Sequence, residues 1–456
     1  MPKYHENQQK LALFGKNKCA MPPPGHNPRN IAVDADEALV IAFKTLFVST
    51  RRRFSFDGSA GIMGLPMVKT VPKPASRPVN KPVPHVDVLV MGEHPSAYLC
   101  AALLKNATQL SVVHSTIPDE KPIDRICLLN PAFFSLHKML EPLKRKLDLT
   151  AIYGVRFLAD EADTQSEHRA KATMAHTVQY KAMRAAVMKV AEDEGVEFIT
   201  PKQLEIRRLD EKGVDVSLGK SALRPTVLVV GGNLPIPQQK MLGMPEAWGQ
   251  DVVRRYTFLK LKNAKWADLG NRPMIPMSLD LGHHLYCAWL LPHGACVQLA
   301  VEQPVESLGR LRGDDLLRLW VDALRKHGVL KPGGDVHIRD AEYMDLPLTG
   351  ALVHEGVANR TLLVGPAGGF YSATGEDLYP NCWSALFAAD TIKKALKERH
   401  LQDALQPYRQ NWRTTLGDYL RGPQQNLRFL LPLVYRNQVM TQRLAESILL
   451  GKSLVR

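Results

Sequence analysis

The stretch from Leu362 to Ile392 constrains the fold more than any other part of the chain. It opens with a short apolar strand, turns through Gly365-Pro366-Ala367-Gly368-Gly369, turns again at Thr374-Gly375, and continues with apolar residues at helical spacing. Small residues after a strand let a ligand approach the backbone closely. The start of the following helix presents free N–H groups, which suit an anionic or electron-rich ligand. The pattern therefore predicts either a ligand-binding turn or a tight packing turn.

A second strand–turn–helix unit begins at residue 86, and another apolar strand follows its helix. This order is the context of a dinucleotide-binding fingerprint. Gly92 fills the first glycine position of the fingerprint, and Ala97 fills the third, where alanine is allowed. His94 stands at the second position, where bare backbone normally lets a pyrophosphate approach. The unit predicts a dinucleotide-binding turn with one altered position.

The ribose-binding end of this fingerprint is altered as well. An acidic residue is expected at the end of the second strand, where it binds ribose hydroxyls, and His114 stands there instead. Asp119 and Glu120 follow shortly afterwards and are candidates to replace that acid. His94 could donate to a phosphate, especially when it is protonated. We therefore expect a dinucleotide to bind, but more weakly than with an intact fingerprint.

The residues from 365 to 377 resemble a flavin-contacting motif. The motif belongs to the FAD-dependent oxidoreductases that include geranylgeranyl reductases, aromatic hydroxylases and flavin halogenases, where it reads roughly G-D-A-A-G-F and then T-G-E-G. The matching residues are Gly365, Ala367, Gly369, Phe370, Thr374, Gly375 and Glu376. Pro366 replaces an aspartate that usually hydrogen-bonds the ribityl chain, and Asp377 replaces the last glycine.

Other landmarks of the family follow in order along the chain. Residues 124–127 resemble the segment that runs near the flavin, and the predicted helix at 180–195 resembles the one beside the FAD. Residues 227–233 resemble the strand and turn that also flank the cofactor. Residues 286–301 resemble the W-x-x-P strand pair over the substrate pocket, with Trp289 and Pro292 as the matching residues. The resemblance covers roughly residues 86–450.

The resemblance implies an α/β fold. Its parts are a three-layer, Rossmann-like FAD-binding domain, an inserted β-sheet substrate domain and a helical C-terminus. Residues 69–85 are rich in proline and basic residues, which is typical of a semi-rigid linker and places a boundary there. The predicted parts are an N-terminal extension at 1–85, the FAD-binding domain at 86–235 and 346–400, the substrate domain at 236–345, and C-terminal helices at 401–456.

The function that the resemblance implies is an FAD-dependent oxidoreductase or monooxygenase acting on an apolar or aromatic small molecule. The residues it places around FAD are Gly92, His94, Ala97, His114, Gly365, Pro366, Ala367, Gly369, Thr374, Gly375 and Glu376. Those it places in the substrate pocket are Cys127, Trp289 and Pro292. No second dinucleotide fingerprint is present, so NAD(P)H would bind only transiently, as the electron donor. No residue is assigned to catalysis.

Two other functions stay open at this point. The altered motif positions also suggest an alternative, a degenerate flavoprotein fold that serves as a binding or scaffold protein without catalysis. A basic adaptor is the third hypothesis, in which Arg51-Arg52-Arg53 and the linker at 69–85 dock on a membrane or nucleic acid.

Composition narrows these alternatives. The chain has 456 residues, 45% of them hydrophobic and 23% charged, and a formal net charge of +14. This charge is spread along the chain, which favours a solvated basic surface over a nucleic-acid tract. None of the six cysteines forms a C-x-x-C pair, so no metal site is expected. No apolar run reaches the roughly 18–20 residues of a membrane span. We expect a cytoplasmic protein without a nucleic-acid partner, and peripheral contact with a membrane stays open.

Overall fold

A computed structural model describes most of the chain beyond residue 82. The described residues are 83–106, 108–120, 122–161, 164–208, 213–219, 221–234, 236–243, 253–262, 272–281, 287–331, 336–347, 356–372, 378–420 and 427–452. The predicted extension and nearly all of its linker lie outside them. So do three predicted cofactor residues, Thr374, Gly375 and Glu376.

The strands of the described residues belong to three sheets. They are β1 (His85–Met91), β2 (Val112–Ser115), β3 (Ile126–Leu129), β4 (Thr150–Ile152), β5 (Gly154–Leu158), β6 (Gln165–Arg169), β7 (Ala175–Gln179), β8 (Glu197–Ile199), β9 (Leu204–Arg208), β10 (Val214–Leu218), β11 (Ser221–Val230), β12 (Val253–Lys262), β13 (Ile275–Ser278), β14 (Ala288–His293), β15 (Cys296–Pro304), β16 (Glu342–Pro347), β17 (Val357–Ala358) and β18 (Thr361–Leu363).

The helices lie between these strands and after them. They are α1 (Pro95–Lys105), α2 (Leu143–Lys146), α3 (Tyr180–Asp193), α4 (Ile236–Met241), α5 (Gly313–Lys326), α6 (Leu378–Ala395), α7 (Leu401–Leu405), α8 (Tyr408–Asn411), α9 (Arg413–Leu420), α10 (Leu427–Arg436) and α11 (Gln438–Leu450).

The first sheet is built on parallel strands in the order β18-β11-β1-β2-β8. β1 lies in the middle, with the next strand of the chain on one side and the later β11 on the other. In an open sheet of this kind, ligands bind outside the carboxyl ends of the strands at the point where the strand order reverses. The edge beyond Met91 and Val230 is therefore the place where the fold positions a site.

The first sheet is the middle one of three layers. Val88 and Val90 of β1 face a core shared with α1, α3 and α6. Leu89 and Met91 face the opposite side, where an antiparallel arm of β9, β10 and β11 covers the sheet. Because successive strand residues point to opposite faces, a strand segment covered on both sides must be apolar throughout, as residues 88–91 of β1 are. The predicted three-layer α/β fold is confirmed.

The second sheet has seven strands in the order β16-β12-β15-β14-β13-β5-β6. Its pairs are antiparallel except β13 with β5, where Ile275 lies opposite Val155. The core around Trp320 of α5 covers one face of this sheet, and residues of α10 and α11 join the core on the other. β5 and β6 come from the segment assigned by sequence to the first part of the FAD-binding domain, yet they complete this second sheet. The domain boundaries themselves stay a prediction.

A small sheet of β3, β7 and β4 links the two larger ones. Gln298 of β15 is fully buried there. Its side-chain amide forms the two hydrogen bonds to Ile126 that the backbone of a neighbouring strand would otherwise form. Its Oε1 accepts from Ile126 N at 2.7 Å, and its Nε2 donates to Ile126 O at 3.0 Å. This pair of hydrogen bonds ties the second sheet to the strand that leads back to the first.

The C-terminal helices close the second sheet. Val434, Leu444, Ile448 and Leu449 are buried in its core, while Val439 is exposed. Within the described residues, none of the helices combines the length and the apolar character that crossing a bilayer requires.

Candidate functional site

Glycine-bearing turns after β1, β11 and β18 meet at the carboxyl edge of the first sheet. Gly92 has φ of +124°, and a Cβ added to it would overlap the backbone of Gly232. Gly365 has φ of +57°, and a Cβ added there would overlap the Ser96 hydroxyl. Only glycine adopts such conformations readily, and only glycine fits these spaces. The close approach of the turns forms a backbone cradle at the edge that the fold assigns to a ligand. We call these turns the glycine cradle.

His94 caps helix α1. Its side chain is only 4% exposed, and its Nδ1 accepts a hydrogen bond from Ser96 N at 3.1 Å. Pro95, at the start of the helix, has no N–H, so few donors are present there. The imidazole therefore takes up a backbone donor that an anionic ligand would otherwise use. Ala97, the third fingerprint position, is fully buried and packs beneath Gly231.

His114 supports the cradle from below. The imidazole is fully buried, stacks on the Tyr98 ring with centroids 4.5 Å apart, and donates from Nε2 to Gly92 O at 2.8 Å. Burial lowers the pKa of His114 to about 4, so the ring is neutral at physiological pH. The predicted contact of His114 with a cofactor remains a prediction, and this burial argues against it. The ring instead fixes the Gly92 carbonyl.

Glu120 lies across the mouth of the glycine cradle. Its carboxylate accepts hydrogen bonds from Glu93 N and Asn233 N, each at 3.1 Å, and so bridges the turns after β1 and β11. A Cβ added to Gly232 would meet both carboxylate oxygens. The preceding Asp119 has φ of +64°, a conformation that side-chain-bearing residues rarely adopt. Backbone N–H groups of this kind hold anions, and here a carboxylate of the chain itself is held.

Burial raises the pKa of Glu120 to about 7. The two backbone hydrogen bonds oppose this rise, and the neighbouring Glu93 carboxylate adds to it. The sequence offered Asp119 and Glu120 as equal candidates for the missing acid. The structure places the Glu120 carboxylate, held by Glu93 N and Asn233 N, in the cradle.

Arg184 of α3 completes the charged cluster, and the sequence reasoning missed it. Its guanidinium pairs with the Glu93 carboxylate, and its Nε donates to Glu93 O at 3.1 Å. Its Nη2 also donates to the Tyr98 hydroxyl at 3.0 Å. The signal that could have found Arg184 is its place one turn into a helix that the resembled family sets beside the FAD.

The turn after β18 is held by helix α6. Residues Gly365–Gly368 form a short 3-10 helix that ends at Gly369, whose φ is +78°. Gly365 N donates to Ser384 Oγ at 2.8 Å, and that hydroxyl donates to Asn381 O at 2.6 Å. Pro366 and Ala367 lie within this short helix and are partly exposed. Pro366 offers neither the carboxylate nor the N–H of the family's aspartate.

Asn381, in the first turn of α6, is fully buried. Neither its Oδ1 nor its Nδ2 has a hydrogen-bond partner among the described residues. A buried polar group left in this state costs about 1–3 kcal/mol, so native proteins rarely keep one without a reason. The backbone carbonyl of the same residue is joined to Gly365 N through the Ser384 hydroxyl, so Asn381 lies near the Gly365 turn.

Cys127 and Trp289 come together around Tyr256, while Pro292 lies apart. The Trp289 side chain is 2% exposed, and its ring centroid lies 5.2 Å from that of Tyr256. Burial is the first cause that raises the pKa of Tyr256, and the nearby Cys127 thiol adds to it. Pro292 lies near the end of β14, and its carbonyl oxygen accepts a hydrogen bond from the Thr177 hydroxyl. All three predicted pocket residues are buried, and their role toward a substrate stays a prediction.

Solved structures of other proteins share this fold, although sequence comparisons find no relative. No protein-family model matches the chain, and no curated protein matches its sequence. Solved structures do match, including a geranylgeranyl bacteriochlorophyll reductase-like protein from Thermoplasma acidophilum (TM-score 0.62, 14% identity, 80% of this chain and 88% of that one). Two others are the flavin-dependent brominase Bmp2 (TM-score 0.57, 14% identity, 81% and 94%) and PqsL from P. aeruginosa in complex with 2-aminobenzoylacetate (TM-score 0.52, 18% identity, 80% and 96%).

These likenesses extend over most of each chain at identities that establish the fold alone. The chain therefore has the fold of flavin-dependent oxidoreductases, and the predicted resemblance is confirmed at that level.

Whether FAD fits this chain depends on the cradle. The close-packed turns and the buried Asn381 amide fit a dinucleotide with a flavin near α6. Glu120 and His94, in contrast, already take the backbone donors that a pyrophosphate would need. The backbone fits, provided that the Glu120 carboxylate releases Glu93 N and Asn233 N.

Proposed function

We propose that the chain is an FAD-dependent oxidoreductase or monooxygenase. The observation that carries the proposal is the convergence of Gly92, Gly232 and Gly365 at the carboxyl edge of the first sheet. When bound, FAD would supply the redox chemistry, while the protein supplies position and electrostatics. The fold of the solved flavoproteins supports this proposal.

The chain's own residues have distinct tasks in this proposal. The Gly92 and Gly365 turns let the cofactor approach the backbone. Arg184 brings a positive charge to the pyrophosphate end. The Asn381 amide offers a buried donor and acceptor on the flavin side. Each task follows from a contact or an orphaned group already described, and none assigns a catalytic residue.

For the substrate we propose an apolar or aromatic small molecule. The support is the apolar core between β3 and the second sheet, where Cys127, Tyr256 and Trp289 meet, since small-molecule sites are lined mostly by apolar and aromatic groups. PqsL, one of the matching structures, holds an aromatic ligand. NAD(P)H is proposed as a transient electron donor.

Peripheral membrane contact is a further part of the proposal. Leu433 and Val439 are exposed near the junction of α10 and α11, and Arg436 lies between them in sequence. Co-sedimentation with anionic vesicles that is lost in a Leu433→Ser, Val439→Ser variant would support this contact. Unchanged sedimentation of the variant would exclude membrane contact through Leu433 and Val439.

The test of cofactor binding is an absorption spectrum of the purified protein, followed by titration with FAD. Flavin fluorescence and thermal shift are the two readouts. Gly365→Val should abolish binding because its side chain would overlap the Ser96 hydroxyl. Gly309→Val is the matched control, since a Cβ there meets nothing within 4 Å. Saturable binding that only the first variant loses supports the proposal.

A second candidate function is a binding or scaffold protein without catalysis. The observation that favours it is that Glu120 and His94 satisfy the cradle's donors internally. Absence of saturable FAD binding in both the wild-type protein and the Glu120→Gln variant would make this second function the better account.

A further inference from the structure

A cavity lies beside the start of β18, at the end of this strand opposite to the Gly365 turn. Its volume is about 700 Å³, which is within the range of small-molecule sites. The turn between β17 and β18 lines one side, and residues 399–409, including α7, line the other. The three residues of β18 separate this cavity from the Gly365 turn at the carboxyl end of the strand. Nothing in the proposed flavin chemistry uses the cavity.

The lining of this cavity is basic. Arg360, Arg399, Arg409 and His400 belong to it, and Asp403 is the one carboxylate among its described residues. Guanidinium groups present donors in a planar fork that matches the oxygens of a phosphate. Two or three of them around one cavity suit a ligand with two or more negative charges.

The backbone conformation of the turn beside the cavity also favours a binding site. Asn359 and Arg360 form the tight turn between β17 and β18, with φ of +49° and +57°. Turns of this kind favour Asn-Gly, because glycine adopts the second conformation without strain. Here arginine takes the position of glycine, and such strain persists where the surroundings fix it and function uses it.

The surroundings do fix this turn. Arg360 N donates to Gln402 Oε1 at 2.6 Å, and Asn359 Nδ2 donates to Leu242 O at 2.6 Å. The first bond joins the turn to α7, on the other side of the cavity. The backbone of Arg360 is thus held in the cavity wall in a conformation that glycine would suit better.

We propose that this cavity binds a phosphate-bearing small molecule, with Arg360 as a principal contact. A single inorganic ion would leave most of the cavity unfilled, so the phosphate is expected to carry an organic group. The proposal is independent of FAD binding, since no residue that lines the cavity belongs to the glycine cradle.

The test is calorimetric titration of the full chain with inorganic pyrophosphate, with and without saturating FAD. Arg360→Gly removes the guanidinium and relieves the backbone strain. It should weaken pyrophosphate binding at least tenfold, and a melting curve of the variant separates this loss from an effect on the fold. Arg312→Gly is the matched control, because Arg312 is exposed at the start of α5 and carries the same charge. Arg399→Ala, also exposed, is a second variant that should weaken binding without affecting the fold.

Three results would overturn the proposal: no saturable binding of pyrophosphate, equal weakening by Arg312→Gly, or competition between pyrophosphate and FAD. The last would place the anion in the glycine cradle. If the site is confirmed, vesicles containing phosphatidic acid distinguish a lipid phosphate from a soluble one. Binding to such vesicles that Arg360→Gly abolishes would assign the lipid source, and unaffected or absent vesicle binding would assign the soluble one.

Discussion

The Glu120 carboxylate is the group whose removal should change cofactor binding most. Pyrophosphate and this carboxylate compete for Glu93 N and Asn233 N, and both are anions. Glu120→Gln keeps the shape and an acceptor oxygen but removes the charge. We expect this variant to bind FAD more tightly than the wild-type protein.

The magnitude follows from the two hydrogen bonds. A bond to a charged acceptor contributes about 1.5–3 kcal/mol, and a bond between neutral groups about 0.5–1.5 kcal/mol. Exchanging the carboxylate for an amide therefore weakens the hold on the two N–H donors by about 2–3 kcal/mol. Each 1.4 kcal/mol is tenfold in an equilibrium constant, so the FAD affinity should rise roughly 30- to 150-fold.

The pH dependence has a definite sign. Burial raises the pKa of the Glu120 carboxyl from 4.5 to about 7, so the folded protein binds more protons than the unfolded chain between these values. The folded state then loses stability as the pH rises through this window, by about 3 kcal/mol in all. Glu120→Gln should remove that loss, and it should stabilise the protein at pH 8 but not at pH 4.

The assay is urea unfolding and FAD titration of both proteins between pH 5 and pH 8. A pyrophosphate bound beside the Glu120 carboxyl would raise its pKa further, so FAD binding would take up a proton. The FAD affinity of the wild-type protein should therefore be higher below pH 7 than at pH 8, while the affinity of Glu120→Gln stays flat. Glu205→Gln, an exposed change on β9, is the control. Weaker FAD binding by Glu120→Gln than by the wild type would refute the reasoning, because the carboxylate would then be a ligand of the cofactor.

Three substitutions test the framework around the site. Gln298→Leu leaves the N–H and C=O of Ile126 buried without partners, so urea unfolding should show a loss of about 2–5 kcal/mol; an unchanged midpoint would contradict this. Trp289→Ala should lower the free energy of unfolding by about 3–5 kcal/mol, measured by thermal melts, because the ring is almost fully buried. Gly92→Ala would overlap Gly232 at a positive φ, so the yield of folded protein by gel filtration should fall sharply.

The parts of the fold that the sequence predicts are those determined by local pattern. The apolar run before Gly92 and the helix behind it identify the first parallel strand and its crossover. The glycines at 365–369 identify the third turn of the cradle. In each, the period of apolar residues and the conformation of glycine act over a few neighbouring positions.

Other features depend on residues far apart in sequence. The pairing of Val155 with Ile275, which adds β5 to the second sheet, has no local signature. Glu120 reaches Asn233 only because Asp119 takes a left-handed conformation and β11 lies next to β1. Likewise, the hydrogen bond from Ser96 N to the His94 ring has no local sequence signature, and the contact of His94 with a ligand stays a prediction. Whether a polar group faces a ligand or its own backbone is decided by tertiary packing.

The crossing of β5 and β6 into the second sheet has a consequence for how the chain folds. During synthesis, β5 and β6 appear early, but their partner β13 is made more than a hundred residues later, and β18 must still join β11 after that. Each sheet therefore has an unpaired edge strand until late in translation. Strand pairs that are this far apart in sequence form slowly. A continuous fragment with the whole first sheet also contains the whole second sheet, and a fragment limited to the second sheet lacks β1, β2 and β18 of the first. Unfolding of residues 83–452 is accordingly expected as a single cooperative transition.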